Sequence, residues 1–375
     1  MRRIFVLMAG VAIAATSAWG QTSAPADDAA AIYLRAAKVI RADDARNIMS
    51  PASSNLLFPP NPPMSDEWVR VEKEDYEQHG QVRELVHQAA SVTHAAWPAS
   101  SRGKTSYLNE CRNLANEIAD AAAYQGLILK DQPAAFESAG DLLHMAELLK
   151  RQPGETLVRL LVAEGIEAMD MHRVKIVVSG VTITDDAGDT RDLQLSTAKD
   201  WIARLLDYPD AQAELDQAMK SEPAGAAADP IVKPSLVRIL ETIHRAQAER
   251  GMTGMMVAAH VYQFKQGNWP ESLKELETEL PRVPVDPWGD GKQTLGYVLI
   301  KGGLPDGSDR PLVYSRCDSK DGLFFRTDRP EYSFYSLPAS KAPAMPPKQG
   351  GQFRDVARWA RAEGKETAAT TEPMP

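Results

Sequence analysis

The sequence lacks the short motifs that mark the commonest catalytic centres. It contains no G-x-S-x-G turn, which presents a nucleophilic serine, and no H-E-x-x-H pair, which places two histidines on one zinc ion. His87 and His94 lie seven residues apart on one predicted helix. That is about 10 Å along its axis, too far for a single zinc ion. These absences favour a protein without enzymatic activity, although the paired carboxylates of a hydrolase leave no such motif and stay an alternative.

The sequence also lacks an excess of positive charge. Its formal net charge is −9, and no cluster of lysine and arginine is interleaved with aromatic residues. An acidic chain repels phosphate groups, so we expect no binding to nucleic acid.

Only one long apolar stretch occurs, and it lies at the N-terminus. Two arginines precede the apolar run 4–19, and the small residues Ala18 and Gly20 occupy the two positions that a signal peptidase inspects. The run is shorter than the ~20 residues of a membrane span, so we expect a cleaved signal peptide over residues 1–20. No cysteine follows for lipid attachment, and no later segment is apolar enough to cross a bilayer. The mature chain is therefore expected to be periplasmic or extracellular and to have no transmembrane segment.

Cysteine is scarce. The two cysteines are Cys111 and Cys317, and export would place them where a disulfide persists. A bridge would connect the helical region to the C-terminal part across roughly 200 residues and would add at most about 5 kcal/mol in the loop-entropy model. Two separate thiols fit the sequence equally, because their distance cannot be derived from spacing.

Apolar residues recur at three- and four-residue spacing through most of residues 27–220, which predicts a domain of antiparallel helices. The β-branched run 175–183 fits either a strand or the end of the fifth helix followed by irregular chain. A small, proline-flanked segment at 221–233 is the expected linker. The helices are expected at about 27–48, 65–97, 107–130, 133–149, 157–166, 196–206 and 210–219.

A second unit is expected over residues 234–337. It begins with a long one-sided helix from Pro234 to Gln266, with Gly251 and Gly254 as weak points. The predicted fold class is thus mainly α with a small α+β C-terminal part, in which the long helix packs on a small antiparallel sheet. Residues 338–375 are rich in Ala, Pro, Lys, Glu and Thr and are expected to be a disordered tail. A short helix at 272–280 and β-like runs at 295–300, 311–315, 322–325 and 332–337 complete the prediction.

Three turns give this unit a family likeness. They are G-N-W-P at 267–270, D-P-W-G at 286–289 and Y-S-R-C-D-S-K-D-G at 314–322. With the preceding helix they resemble the globular tail of the major pseudopilin of type II secretion. The resemblance implies a calcium ion held by Asp318 and Asp321, with a solvated turn as the alternative, because Cys317 stands where the family has glycine. The N-terminus lacks the Phe-Thr-Leu-x-Glu start of a pseudopilin, so the likeness does not make the chain a pilus subunit.

Two functions of different classes follow from these observations. The first is an exported, non-catalytic protein with a pseudopilin-like tail that binds a partner, such as an envelope protein or a secretion component, through its helical faces. The second is a hydrolase or binding protein for an envelope polymer, acting through carboxylates in a cleft between the lobes. Two carboxyl groups in a cleft, one with a pKa raised by burial, would favour the second. Apart from the calcium ion, no cofactor is expected.

Overall fold

A computed structural model describes most of the chain between residues 28 and 336. The described residues are 28–44, 66–98, 106–151, 157–178, 180–220, 232–288, 291–301, 309–314 and 334–336. The helices are α1 (Ala29–Asp44), α2 (Asp66–Gln78), α3 (Gly80–Ala90), α4 (Ser106–Tyr124), α5 (Gln132–Arg151), α6 (Leu157–Val178), α7 (Leu195–Leu206), α8 (Ala211–Met219), α9 (Val232–Gln266) and α10 (Leu273–Leu276). The strands are β1 (Ile183–Thr184), β2 (Leu193–Gln194), β3 (Gly296–Ile300), β4 (Arg310–Tyr314) and β5 (Phe334–Ser336).

The predicted fold class is confirmed: the described chain is mainly helical with a small β part. Helix α9 is 35 residues long and packs on α6, on α7 and on the sheet formed by β3, β4 and β5. The three strands are antiparallel in the order β3-β4-β5, with Val298 opposite Leu312 and Val313 opposite Tyr335. None of the described helices is both long enough and apolar enough to span a bilayer.

Helix α5 divides two apolar cores. Leu142 belongs to a core formed with α1, α3, α4 and α6, whereas its neighbour Leu143 faces a second core. The second core continues from Trp201 of α7 through Met252 of α9 to Leu299 of β3. Because both sides of α5 are buried along most of its length, its few open positions are conspicuous.

The prediction of one helix over 65–97 is wrong, because the chain forms two helices that meet at His79. This residue leaves helical geometry, with φ −97° and ψ 25°, and its side chain turns inward. His79 is buried, and its Nδ1 lies 2.8 Å from Oε1 of Glu117 on α4. The tertiary contact therefore fixes a break that local periodicity does not reveal.

The run 175–183 belongs to the second of its two alternatives. Helix α6 continues to Val178, and the strand begins at Ile183, where Ile183 and Thr184 pair in parallel with Leu193 and Gln194. The side chain of Gln132 holds this corner, since its Oε1 accepts from the backbone of Thr182 at 3.1 Å and of Leu193 at 3.3 Å.

Gly251 and Gly254 lie within the unbroken helix α9 and allow close packing on it. A Cβ atom at Gly251 would lie 2.7 Å from Cδ1 of Leu295, and one at Gly254 would lie 3.1 Å from Cδ2 of Leu206. The two glycines thus let the chain before β3 and the end of α7 approach the helix backbone.

Several predictions lie outside the described residues. These are the signal peptide at 1–20, the strand at 322–325, the tail at 338–375 and nearly all of the linker, of which only 232 and 233 are described, as the start of α9.

Candidate functional site

An open groove of about 520 Å³ lies between the end of α3, the middle of α5 and α7. The end of α3 borders it with Ala90, and α7 with Trp201 and Arg204. The residues from α5 are Phe136, Glu137, Gly140, Asp141, His144 and Glu147. We call this site the groove.

The polar wall of the groove comes from the spacing of residues on α5. Glu137, Asp141, His144 and Glu147 follow one another at intervals of four, three and three residues, so they lie on one side of the helix. Most apolar residues of α5, such as Leu142 and Leu149, are fully buried. Hydrophobic packing therefore fixes the helix and leaves this polar stripe facing the opening.

Gly140 lets α7 cross the stripe. A Cβ atom there would lie 3.0 Å from Nη1 of Arg204 and 3.4 Å from Cζ2 of Trp201. Nη2 of Arg204 donates to the Gly140 carbonyl at 2.9 Å, and its guanidinium lies 5.9 Å from the Trp201 ring centroid. Phe136 meets the Trp201 ring edge to face at 5.2 Å, which closes the apolar end of the groove.

Asp141 is the most enclosed carboxylate of the groove. Its side chain is 11% exposed, and Nδ1 of His87 on α3 lies 3.3 Å from its Oδ2. An ionised carboxylate only accepts, so Nδ1 of His87 carries the hydrogen. Burial raises the pKa of Asp141 to about 6, and the contact with His87 opposes that rise.

His144 presents an acceptor to the groove. Its Nε2 lies 3.0 Å from the carbonyl oxygen of Val92, which can only accept, so Nε2 carries the hydrogen. In the neutral ring Nδ1 is then an acceptor.

A second set of charged residues is closed off from solvent. Lys150, near the end of α5, contacts three carboxylates, at 2.5 Å from Glu164, 2.9 Å from Glu167 and 3.3 Å from Glu214. Arg250 of α9 approaches Glu167 from the other side at 3.3 Å. We call these five residues the closed cluster.

The carboxyl groups of the closed cluster differ in how strongly they hold a proton. Burial, opposed by Lys150, raises the pKa of Glu164 well above its usual range. Burial also disfavours the charge of Glu167, but Lys150 and Arg250 outweigh it and lower the pKa of that carboxyl. The neighbouring Asp170 is fully buried, neither of its oxygens makes a hydrogen bond to a described residue, and burial raises its pKa strongly. The two cations thus favour the ionised form of Glu167, whereas burial favours the protonated forms of Glu164 and Asp170.

The residues predicted as sites lie mostly elsewhere. Asp318, Asp321 and Cys317 are outside the described residues, so the calcium site and the disulfide stay predictions. Cys111 lies on α4 and is buried in the first core, and burial raises the pKa of its thiol. Within the described ranges, no group of three or more histidine, cysteine, aspartate or glutamate side chains could hold a metal ion.

The groove was not predicted from the sequence. Its signal was the polar stripe on α5, but charged residues at helical spacing are usually a solvated surface. Its enclosure depends on α3 and α7, which are separated from α5 in sequence. No protein-family model, curated protein or solved structure matches this chain.

Proposed function

We propose that this protein is an exported, non-catalytic binding protein and that its ligand occupies the groove. The observation that carries this proposal is an opening of about 520 Å³ between three helices, into which α5 and α7 present polar side chains. Ligand sites are typically concavities of this size with a few convergent polar groups. The contrast with the closed cluster supports the groove as the ligand site, because the charged groups of the closed cluster form ion pairs with one another.

The pseudopilin-like unit, residues 234–337, contributes to the proposal as a docking element. A long helix packed on a three-stranded antiparallel sheet agrees with the pseudopilin-like interpretation of 234–337. On that interpretation the unit 234–337 contacts an envelope protein or a secretion component, while the groove remains available to a ligand.

One observation favours the catalytic alternative. Asp141 has a pKa raised to about 6 by burial, and Glu137 lies one turn away on α5, about 6 Å along its axis. A partly protonated carboxyl beside a second carboxylate is the arrangement that hydrolases of glycosidic bonds use. The groove lies between helices of the helical region, however, whereas the sequence led us to expect a cleft between two lobes.

Binding is tested by nuclear magnetic resonance on the mature protein with a panel of small probes. The panel contains an amine, a dicarboxylate, a neutral sugar and a dipeptide. At least one probe is expected to shift the backbone resonances of α3, α5 and α7. Ala90→Arg, which places a long side chain in the groove, should abolish the shifts, whereas Ala203→Arg, on the exposed side of α7, should keep them.

The outcome separates the two functions. If no probe shifts the groove resonances, or if Ala90→Arg binds as the wild type does, the groove is not the ligand site. If a polymer of the envelope is hydrolysed and Asp141→Asn stops turnover while binding persists, the catalytic alternative replaces the binding proposal.

Export is tested separately. We expect cell fractionation to recover the protein outside the cytoplasm, with a mature N-terminus at residue 21. Recovery of the unprocessed chain from the cytoplasm would contradict that part of the proposal.

A further inference from the structure

We propose that the groove binds a small organic cation that carries N–H donors, a primary ammonium or a guanidinium group. This inference rests on the proposed binding function and names the chemistry of its ligand. It is carried by the balance of hydrogen-bond acceptors and donors in the lining and by the position of the negative charge.

The lining offers more acceptors than donors. Glu137, Asp141 and Glu147 contribute carboxylate oxygens, and His144 contributes Nδ1. The donors among the lining side chains are Arg204, Nε2 of His144 and Nε1 of Trp201. Arg204 already bonds to the carbonyl of Gly140 on the groove floor, and Nε2 of His144 to that of Val92. A ligand that supplies donors would satisfy the remaining acceptors, whereas an anion would add acceptors where there are already too many.

The negative charge is concentrated at one end of the groove. Glu147 is paired, because Nη2 of Arg151 lies 3.3 Å from its Oε2 and Nε of Arg204 lies 4.0 Å from its Oε1. Asp141 and Glu137 share the neighbour His87, at 3.3 Å and 3.6 Å, and Arg204 acts on Asp141 only through its charge, without a direct ion pair. Among the described residues, no lysine or arginine forms an ion pair with either carboxylate, so the cationic group of the ligand belongs beside Asp141 and Glu137.

The burial of Asp141 strengthens the preference of this end of the groove for a cation that donates hydrogen bonds. The side chain of Asp141 is mostly enclosed, whereas that of Glu137 is 61% exposed. A cation that contacts both would pass from the rim to a partly desolvated carboxylate, where a charge-assisted hydrogen bond is stronger than in water.

The test uses four probes of similar size: butylamine, butanol, butyrate and butyltrimethylammonium. They separate charge from donor capacity, since the last carries a positive charge without an N–H group. Butylamine, as its ammonium ion, is expected to shift the groove resonances and to bind at least about tenfold more tightly than butanol or the quaternary ion, the effect of one charged hydrogen bond. Butyrate is expected not to bind.

Variants locate the contact. Asp141→Asn is expected to weaken butylamine at least about tenfold, and Glu137→Gln by a smaller factor, because Glu137 is more exposed. Asp200→Asn, on the exposed side of α7, is the matched control and should bind as the wild type does. Each variant is compared at equal folded fraction, established from its thermal unfolding curve.

Different results would overturn the cationic ligand and the binding function. Groove shifts caused by butanol, butyrate or the quaternary ion as strongly as by butylamine would keep the groove as a binding site and overturn the cation. The same holds if only another probe class of the wider panel binds, or if Asp141→Asn leaves the affinity of butylamine unchanged. If no probe of either panel shifts the groove, the binding function falls as well.

Discussion

Helix α5 carries charged side chains to two places that differ in exposure. At the groove, Glu137 and Asp141 face an opening and share one histidine. Near the other end of the helix, Lys150 is surrounded by three carboxylates of α6 and α8. Charge alone therefore does not indicate a binding site. What separates the two places is whether the charged groups are already satisfied by the protein.

The closed cluster also shows how charges become tolerable inside a protein. Two cations, Lys150 and Arg250, meet three carboxyl groups, and burial raises the pKa of Glu164 while the two cations lower that of Glu167. In the groove, solvent and a ligand can take that role. Three predictions would break or sharpen this comparison.

The largest effect is expected at Glu167. Glu167→Gln removes the one carboxylate that contacts both Lys150 and Arg250, and it leaves a buried guanidinium without its charged partner. Breaking a buried pair in this way costs about 3–5 kcal/mol of unfolding free energy. Urea denaturation at pH 7 measures the change.

Glu164→Gln is the matched control one helical turn away. Because burial favours the protonated form of Glu164, glutamine replaces that form with a group of the same charge and retains an oxygen to accept from Lys150. We expect its unfolding free energy to lie within about 1 kcal/mol of the wild type. Equal losses for the two variants would contradict the proposed distribution of protons.

An intermediate effect is expected from the pH dependence of Asp141. The charged groups around it come from three helices and are His87 on α3, Glu137 on α5 and Arg204 on α7, while the hydroxyl of Tyr33 on α1 donates to its carbonyl. The pKa of Asp141 rises from 3.8 to about 6 on folding. Its contribution to stability is therefore fully present below pH 3.8 and is lost as the pH rises through about 6.

Asp141→Asn removes this titration. Relative to the wild type, the variant should gain about 2–3 kcal/mol of unfolding free energy between pH 4.5 and pH 8, the equivalent of a shift of about two pKa units. Asp200→Asn, measured at the same two pH values, is the control for loss of a carboxylate. If the difference in unfolding free energy between Asp141→Asn and the wild type did not change with pH, Asp141 would be as well solvated as a surface residue. The contrast between a buried Asp141 and an exposed Glu137 would then be lost.

Sequence periodicity predicted the parts of the fold that local rules decide. The stripe of α9 and the alternating runs of β3 and β4 give their elements with bounds close to those observed. The break at His79 could not be predicted, because a contact with Glu117 of α4 fixes it. The packing role of the α9 glycines could not be predicted for the same reason, because it depends on the approach of Leu295 and Leu206.

The groove was harder to predict than the fold. The polar stripe of α5 is visible in the sequence, but whether it faces water or a neighbouring helix depends on where α3 and α7 lie. Gly140 held a further clue, because a glycine inside a helix often marks a close approach. Nothing in the sequence identified Arg204 as the residue that approaches it.

The smallest effect compares two glycines on neighbouring helices. Gly165 lies on the exposed side of α6, beside Glu164, and a Cβ atom there would meet nothing within 4 Å. Gly165→Ala should therefore raise the unfolding free energy by about 0.5–1 kcal/mol, the ordinary gain for glycine to alanine inside a helix.

Gly140→Ala should lose most of that gain, because the new methyl group must displace the guanidinium of Arg204 and touches the ring of Trp201. Thermal unfolding of the two variants at pH 7 provides the comparison. If Gly140→Ala stabilised the protein as much as Gly165→Ala, Arg204 would be free to move away from the groove floor. It could then not be counted as a donor already engaged by the protein, and the excess of acceptors that selects a cationic ligand would shrink.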